Sequence, residues 1–206
     1  MNALNAETQG AISPSRAIEL LKEGNERYTN GKMVVRNLNL QQEQTSYGQW
    51  PFAAILGCID SRVPAELIFD QGIGDIFNAR VAGNFSNTDI LGSLEYSCKV
   101  AGAKAVIVLG HSSCGAVKGA CDGVELGNIT SMLANLKPAI DSVTDETENR
   151  TSSNDGFVQK VVESNAHLTV ADIRRNSPTL KEMEDSGDII IAAAVYDVAS
   201  GKVDFI

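Results

Sequence analysis

The chain has 206 residues, 43% of them hydrophobic and 21% charged, and a formal net charge of −9 from 17 basic and 26 acidic side chains. That length suits one domain at roughly 150 residues each, and the composition excludes collagen-like, disordered and disulfide-scaffold chains. The acidic balance leaves no broad cationic surface for nucleic acid or an anionic membrane, and no run approaches the roughly 20 apolar residues of a membrane span, so the expected partner is a small molecule.

In chain order, Met1 to Gly10 is small, polar and without helical or strand character, and it lacks the basic and apolar regions of an export signal. A cytoplasmic location is expected, with a periplasmic mature form as the alternative. Ser13 and Pro14 then make a helix start, and Ala17, Ile18, Leu20 and Leu21 form an apolar stripe before Gly31. This predicts an amphipathic helix outside the core. A second, polar helix follows over Leu40 to Tyr47, ended by Gly48 to Pro51. Residues 1–48 therefore read as a helical arm on a catalytic core of residues 49–206, together one domain.

The core alternates short apolar runs with helical patterns. Phe52 to Gly57, Asp75 to Val81, Ala103 to Gly110 and Asp188 to Val195 read as strands buried on both faces. Helices are expected over Pro64 to Phe69, Thr88 to Val100, Ser113 to Cys121, Ile129 to Ser142 and Val158 to Arg175, with a solvated loop over Thr144 to Gly156. The tail, Val195 to Ile206, reads as a closing hairpin. The predicted class is α/β: a mainly parallel central β-sheet flanked by helices, with an N-terminal helical arm and a C-terminal hairpin strand.

Ligands of open α/β sheets bind beyond the carboxyl ends of the strands. The first predicted strand runs into Cys58-Ile59-Asp60-Ser61-Arg62 and the third into His111-Ser112-Ser113-Cys114-Gly115. If those strands are neighbours, both loops open onto one edge. Two thiolates and an imidazole suit zinc with one tetrahedral position left open, although cysteines at these places also fit as small core side chains. Asp60 and Arg62 supply a carboxylate and a guanidinium beside the candidate metal: a bidentate Arg62 keeps Asp60 charged and oriented, and the alternative for Asp60 is a fourth zinc ligand. Gly72-Ile73-Gly74 lacks the third glycine of a dinucleotide fingerprint and precedes a strand. No Gly-x-Ser-x-Gly is present, and His167, Cys98 and Cys121 read as surface or packing residues, so a serine or cysteine hydrolase has no general base.

Cys58-x-Asp60-Ser61-Arg62 followed by His111-x-x-Cys114-Gly115 resembles the zinc motif pair of the β-class carbonic anhydrases. The likeness runs from about Gln49 to Gly119 and includes Val63-Pro64, the Gly-Asp-x-Phe run at Gly74 to Phe77, Arg80-Val81-Ala82-Gly83-Asn84 and Gly92 to Tyr96. It implies one Zn2+ per chain on Cys58, His111 and Cys114, and a zinc-bound hydroxide that converts carbon dioxide to bicarbonate. It further implies that the Asp60–Arg62 pair orients the hydroxide and that Gln49, Phe77, Ala82, Tyr96 and Gly115 surround the substrate, the glutamine reaching across a dimer interface. Ala82 stands where a larger Val is common. A second subtype closes its zinc with the Asp and carries a regulatory Trp three residues before the first Cys; Ile55 stands there, which points to the open subtype although Arg80 matches an arginine of that pocket. The unpartnered stripe of the first helix and the role given to Gln49 imply a homodimer, or a homotetramer made of two such pairs. Two other activities fit the same residues: a related zinc hydrolase of carbonyl sulfide or carbon disulfide, and an inactive zinc-binding or thiol-redox protein pairing Cys58 with Cys114.

Overall fold

A computed structural model describes residues 2–206 of the chain, leaving Met1 outside the described residues. Five strands, β1 (Ala53–Gly57), β2 (Ile76–Arg80), β3 (Ala105–His111), β4 (Ile190–Tyr196) and β5 (Val203–Phe205), form one sheet in the order β2-β1-β3-β4-β5. The first four run parallel, and β5 closes the sheet antiparallel to β4. Alternation along the strands divides the core. Ala53 and Ile55 of β1 with Ala105, Ile107 and Leu109 of β3 face one layer; Ala54, Leu56, Val106 and Val108 face the other. Both layers are apolar, which is why these strands read as continuous hydrophobic runs.

Ten helices complete the described residues: α1 (Ala6–Gly10), α2 (Pro14–Thr29), α3 (Leu38–Thr45), α4 (Ala65–Ile68), α5 (Thr88–Glu95), α6 (Gly115–Cys121), α7 (Gly127–Ala134), α8 (Lys137–Ser142), α9 (Asp155–Asn176) and α10 (Pro178–Asp185). None is long and apolar enough to cross a membrane. Helix α2 starts where predicted, with Ser13 Oγ accepting from the Arg16 N–H and Pro14 at the first turn. Its placement corrects the expectation of a helix outside the core: Ala17 and Leu21 are fully buried against β1 and β3 of the same chain. A stripe shows that a helix has a partner but not which surface supplies it.

Other departures have local causes. The segment before Gly10 is not structureless, because Asn5 and Thr8 form a capping box for α1, and Gln9 is buried with its amide donating to the carbonyls of Pro51 and Ala101. The helix predicted over Ile129 to Ser142 is two helices: Pro138 cannot donate to the residue 134 carbonyl and its ring crowds that carbonyl, so the chain breaks at Asn135 and Leu136. Helix α5 passes into a single π turn over Tyr96–Val100. Helix α10 has no counterpart among the expected helices, although Ser177 and Pro178 repeat the start signal of α2.

Between α4 and β2, the fully buried Asp70 holds the segment after α2 to the core. Its carboxylate accepts from Arg27 Nε, Arg36 Nη1 and the Val34 N–H. Burial pushes this carboxyl up, but Arg27, Arg36 and the Val34 N–H outweigh it and hold it below the ordinary range. The group therefore adds stability at pH values above about 3.9, the unfolded value, and that stability is lost as pH falls below it. Asp70→Asn strands two arginines on a buried neutral group and is expected to cost about 3–5 kcal/mol in urea unfolding at pH 7. A loss below 1 kcal/mol would show that Asp70 does not anchor this segment.

Candidate metal centre

Parallel pairing of β1 with β3 sets Gly57 beside Leu109, so the residues that follow, Cys58 on one strand and Gly110-His111 on the other, emerge together at the carboxyl edge. Cys114 arrives at the same point as the residue before α6. The turn that delivers it is strained: Ser113 lies in the left-handed region at φ 55°, and its carbonyl accepts from Arg62 Nη2 at 3.3 Å. The ligand atoms of Cys58, His111 and Cys114 all lie within 4.8 Å of one another, and all three residues are buried.

The donor set fits zinc. Nδ1 of His111 is 2.9 Å from the Ser112 carbonyl, which places the ring proton there and leaves Nε2 with its lone pair. That Nε2 is buried without a hydrogen-bond partner, as expected of an atom whose partner is a metal. The Cys114 thiol, with the Gly83 N–H, draws the Cys58 thiol down against the effect of burial. Cys114 moves the other way, because the sulfur beside it holds the shared charge. Zinc bound here would be held by both sulfurs as thiolates.

Asp60 stands next to this cluster and is not a member of it. Arg62 donates to it through Nε at 2.9 Å, Nη2 at 2.8 Å and its own backbone N–H at 2.9 Å, a bidentate grip that holds the carboxyl at about 2. Its Oδ2 is 4.0 Å from His111 Nε2. With the carboxylate tied to arginine, three side chains, Cys58, His111 and Cys114, could hold a metal, one fewer than a closed tetrahedral site needs.

Arg80 and Gly83 brace the Cys58 loop. Arg80, at the end of β2, donates to the carbonyls of Cys58 (2.7 Å) and Asp60. Gly83, at φ 85°, points its N–H at Cys58 Sγ at 3.4 Å, and a Cβ there would meet Leu136 at 3.0 Å. The buried Asn165 of α9 donates to the Gly83 carbonyl at 2.8 Å. A glycine that must take positive φ is a visible signal; the strand-end arginine acquires meaning only once β2 lies beside β1.

The expected substrate residues divide. Ala82 and Gly115 line a cleft of about 510 Å³ together with Cys58 and Asp60; its other walls include Ile59, Val124, Ile129, Met132 and Leu133. Phe77 and Tyr96 do not reach that cleft within one chain. They meet edge to face, centroids 6.2 Å apart, in a separate groove of about 670 Å³ between β2 and α5. Gln49 is exposed after α3. Cys98 is packed in the core and His167 is exposed, as expected, while Cys121 is half-buried.

Comparison with known proteins gives one answer. The family model described as carbonic anhydrase matches residues 53–203. Carbonic anhydrase 2 of Mycobacterium tuberculosis is 35% identical over 193 residues, covering 92% of this chain and 91% of that protein. The carbonic anhydrase of Mycolicibacterium smegmatis is 31% identical, covering 93% of each. Among solved structures, one of two tetrameric β-carbonic anhydrases from the ascomycete Sordaria macrospora superposes with a TM-score of 0.67 at 25% identity, over 82% of this chain and 90% of that one. With a Cys-His-Cys centre at the carboxyl edge of a matching sheet, the chain belongs to the carbonic anhydrase family, in its β class.

Proposed function

We propose that this protein is a zinc-dependent carbonate dehydratase, a lyase that interconverts carbon dioxide and bicarbonate, with one Zn2+ per chain held by Cys58, His111 and Cys114. The observation that carries the reading is the buried, unpartnered Nε2 of His111, aimed at two thiols beside an apolar cleft. Bound zinc supplies Lewis acidity that ionises a water, less strongly with two thiolates around it than with three imidazoles.

The chain's own residues supply the remainder. Asp60, ionised throughout the working range, accepts hydrogen bonds only and orients the nucleophile's proton away from the substrate. Arg62 holds that carboxylate in position from outside the cleft. The apolar walls suit a neutral linear molecule, and the one carboxylate among them, Asp60, is anionic, so the cleft favours carbon dioxide over the bicarbonate it becomes.

A second copy of the chain completes the pocket in this reading. Gln49 and the Phe77–Tyr96 groove are surface features in one chain, near the unpaired edge of β2 and an arm that exposes Val35, Leu38 and Tyr47. With α2 committed to its own core, these residues are the support for a twofold dimer, singly or paired as a tetramer.

Cys114→Ser is expected to lose zinc and hydration activity together, measured by metal analysis and stopped flow; full zinc stoichiometry in the variant removes Cys114 from the ligand set. For the wild type, kcat for hydration is expected to climb from neutral toward alkaline pH, since the two-thiolate shell keeps the ionisation above the value of about 7 found with three His ligands. Asp60, held at about 2, takes no part in that rise. A profile already flat from about pH 6.5 contradicts the assignment of two thiolate ligands. Sedimentation is expected to show a species of at least twice the 21.9 kDa chain mass. A fully active monomer refutes the shared pocket.

A further inference from the structure

His111 is the last residue of β3 in register with β4, opposite Tyr196. Beyond it the ladder stops, and the next residue but one, Ser113, bends back in the left-handed region. Ser112 lies between, and its N–H, hydroxyl oxygen and carbonyl are each engaged. Its N–H donates to the Tyr196 carbonyl at 2.9 Å, its Oγ accepts from the Val198 N–H at 3.0 Å, and its carbonyl faces His111 Nδ1 at 2.9 Å. Two of these bonds tie the residue to the chain leaving β4, and the third sets the tautomer and orientation of the imidazole.

That outgoing chain is itself rigid. Asp197 Oδ1 accepts from the Ala199 and Ser200 N–H groups, and the Asp197 N–H donates to the Lys202 carbonyl at 2.8 Å. The buried Asn25 of α2 then clamps the turn: its amide donates to the Gly201 carbonyl at 2.9 Å, and its Oδ1 accepts from the Val203 N–H at 2.8 Å. The brace therefore runs from α2 through the closing hairpin to the metal-facing imidazole.

We infer that Ser112 is a positioning residue for the metal centre, its hydroxyl pinning the His111 loop to the C-terminal hairpin so that Nε2 is presented to the metal in one orientation. Without the hydroxyl acceptor the Val198 N–H loses its partner and one of the two ties on residue 112 is gone, while every metal ligand remains. Groups that orient a metal's histidine typically change affinity about 10–100-fold when removed. Since a backbone tie survives, the lower end of that range is expected here.

The inference rests on Cys58, His111 and Cys114 being the zinc ligands. Its test is a titration of the metal-free 206-residue chain with Zn2+ against a chromophoric chelator, for wild type, Ser112→Ala and Ser112→Thr, with Tm measured on the same metal-free samples. Ser112→Ala is expected to bind zinc about 10-fold more weakly, with a metal-free Tm within about 4 °C of wild type, the effect of one neutral hydrogen bond. Ser112→Thr keeps the acceptor and is expected to bind within about twofold of wild type. An Ala variant that binds zinc as wild type does, or one whose weaker binding is matched by Ser112→Thr, overturns the inference. Failure of the wild type itself to bind zinc overturns the ligand assignment beneath it.

Discussion

The side-by-side parallel pairing of β1 and β3 is the constraint on which the metal centre depends. In that register, Gly57 beside Leu109, two loops distant in sequence leave the sheet together and set Cys58 and His111 at one point. A parallel pair has to be covered on both faces, and it is: α2 and α4 occupy one side and α5, α9 and α10 the other, around strands that are buried throughout. Cys58 and Cys114 belong to a third apolar cluster beyond the strand ends, with Val117, Leu133, Leu136, Phe157 and Val162. The two sulfurs therefore sit in an apolar surround, where their attraction for a cation is weakly screened.

Two aspartates show how position decides what an ion pair does. Asp70 is fully buried, takes hydrogen bonds from two arginines and a backbone N–H, and serves to hold the chain after α2 in place. Asp60 is partly open to solvent and is gripped by one arginine two residues along, which leaves a carboxylate of fixed charge and direction beside Cys58, His111 and Cys114. Surface pairs such as Lys137–Asp141 and Lys181–Asp185 join exposed helix positions four apart and contribute little, about 0.5 kcal/mol or less each.

The braces around the centre come from every layer of the fold. Arg80 reaches across from the edge strand, Asn165 from α9 steadies the Gly83 turn, and Ser112 links the imidazole to the closing hairpin. None is adjacent in sequence to the residue it steadies except Ser112, whose contribution still depends on Val198, brought near only by β4. Precision at a metal site thus comes from long-range hydrogen bonds laid over a hydrophobic frame, each modest alone and together fixing one ligand geometry.

Much was legible in the residues themselves. Apolar runs marked four strands, Ser13-Pro14 marked the start of α2, and the Cys58, Asp60, Arg62, His111 and Cys114 pattern named side chains that the fold gathers at one edge, because each of these is a property of local spacing or of side-chain chemistry. The structure alone decided what those local properties leave open. It turned the stripe of Ala17 and Leu21 inward, split the helix before Pro138, and found partners for Gln9 and Asn25 far along the chain. It also separated Phe77 and Tyr96 from the cleft that Ala82 and Gly115 share with Cys58 and Asp60. The reason is physical: periodicity records that a face is apolar and a motif records which atoms are available, but which surfaces meet is settled only by competition among all of them for burial and hydrogen bonds.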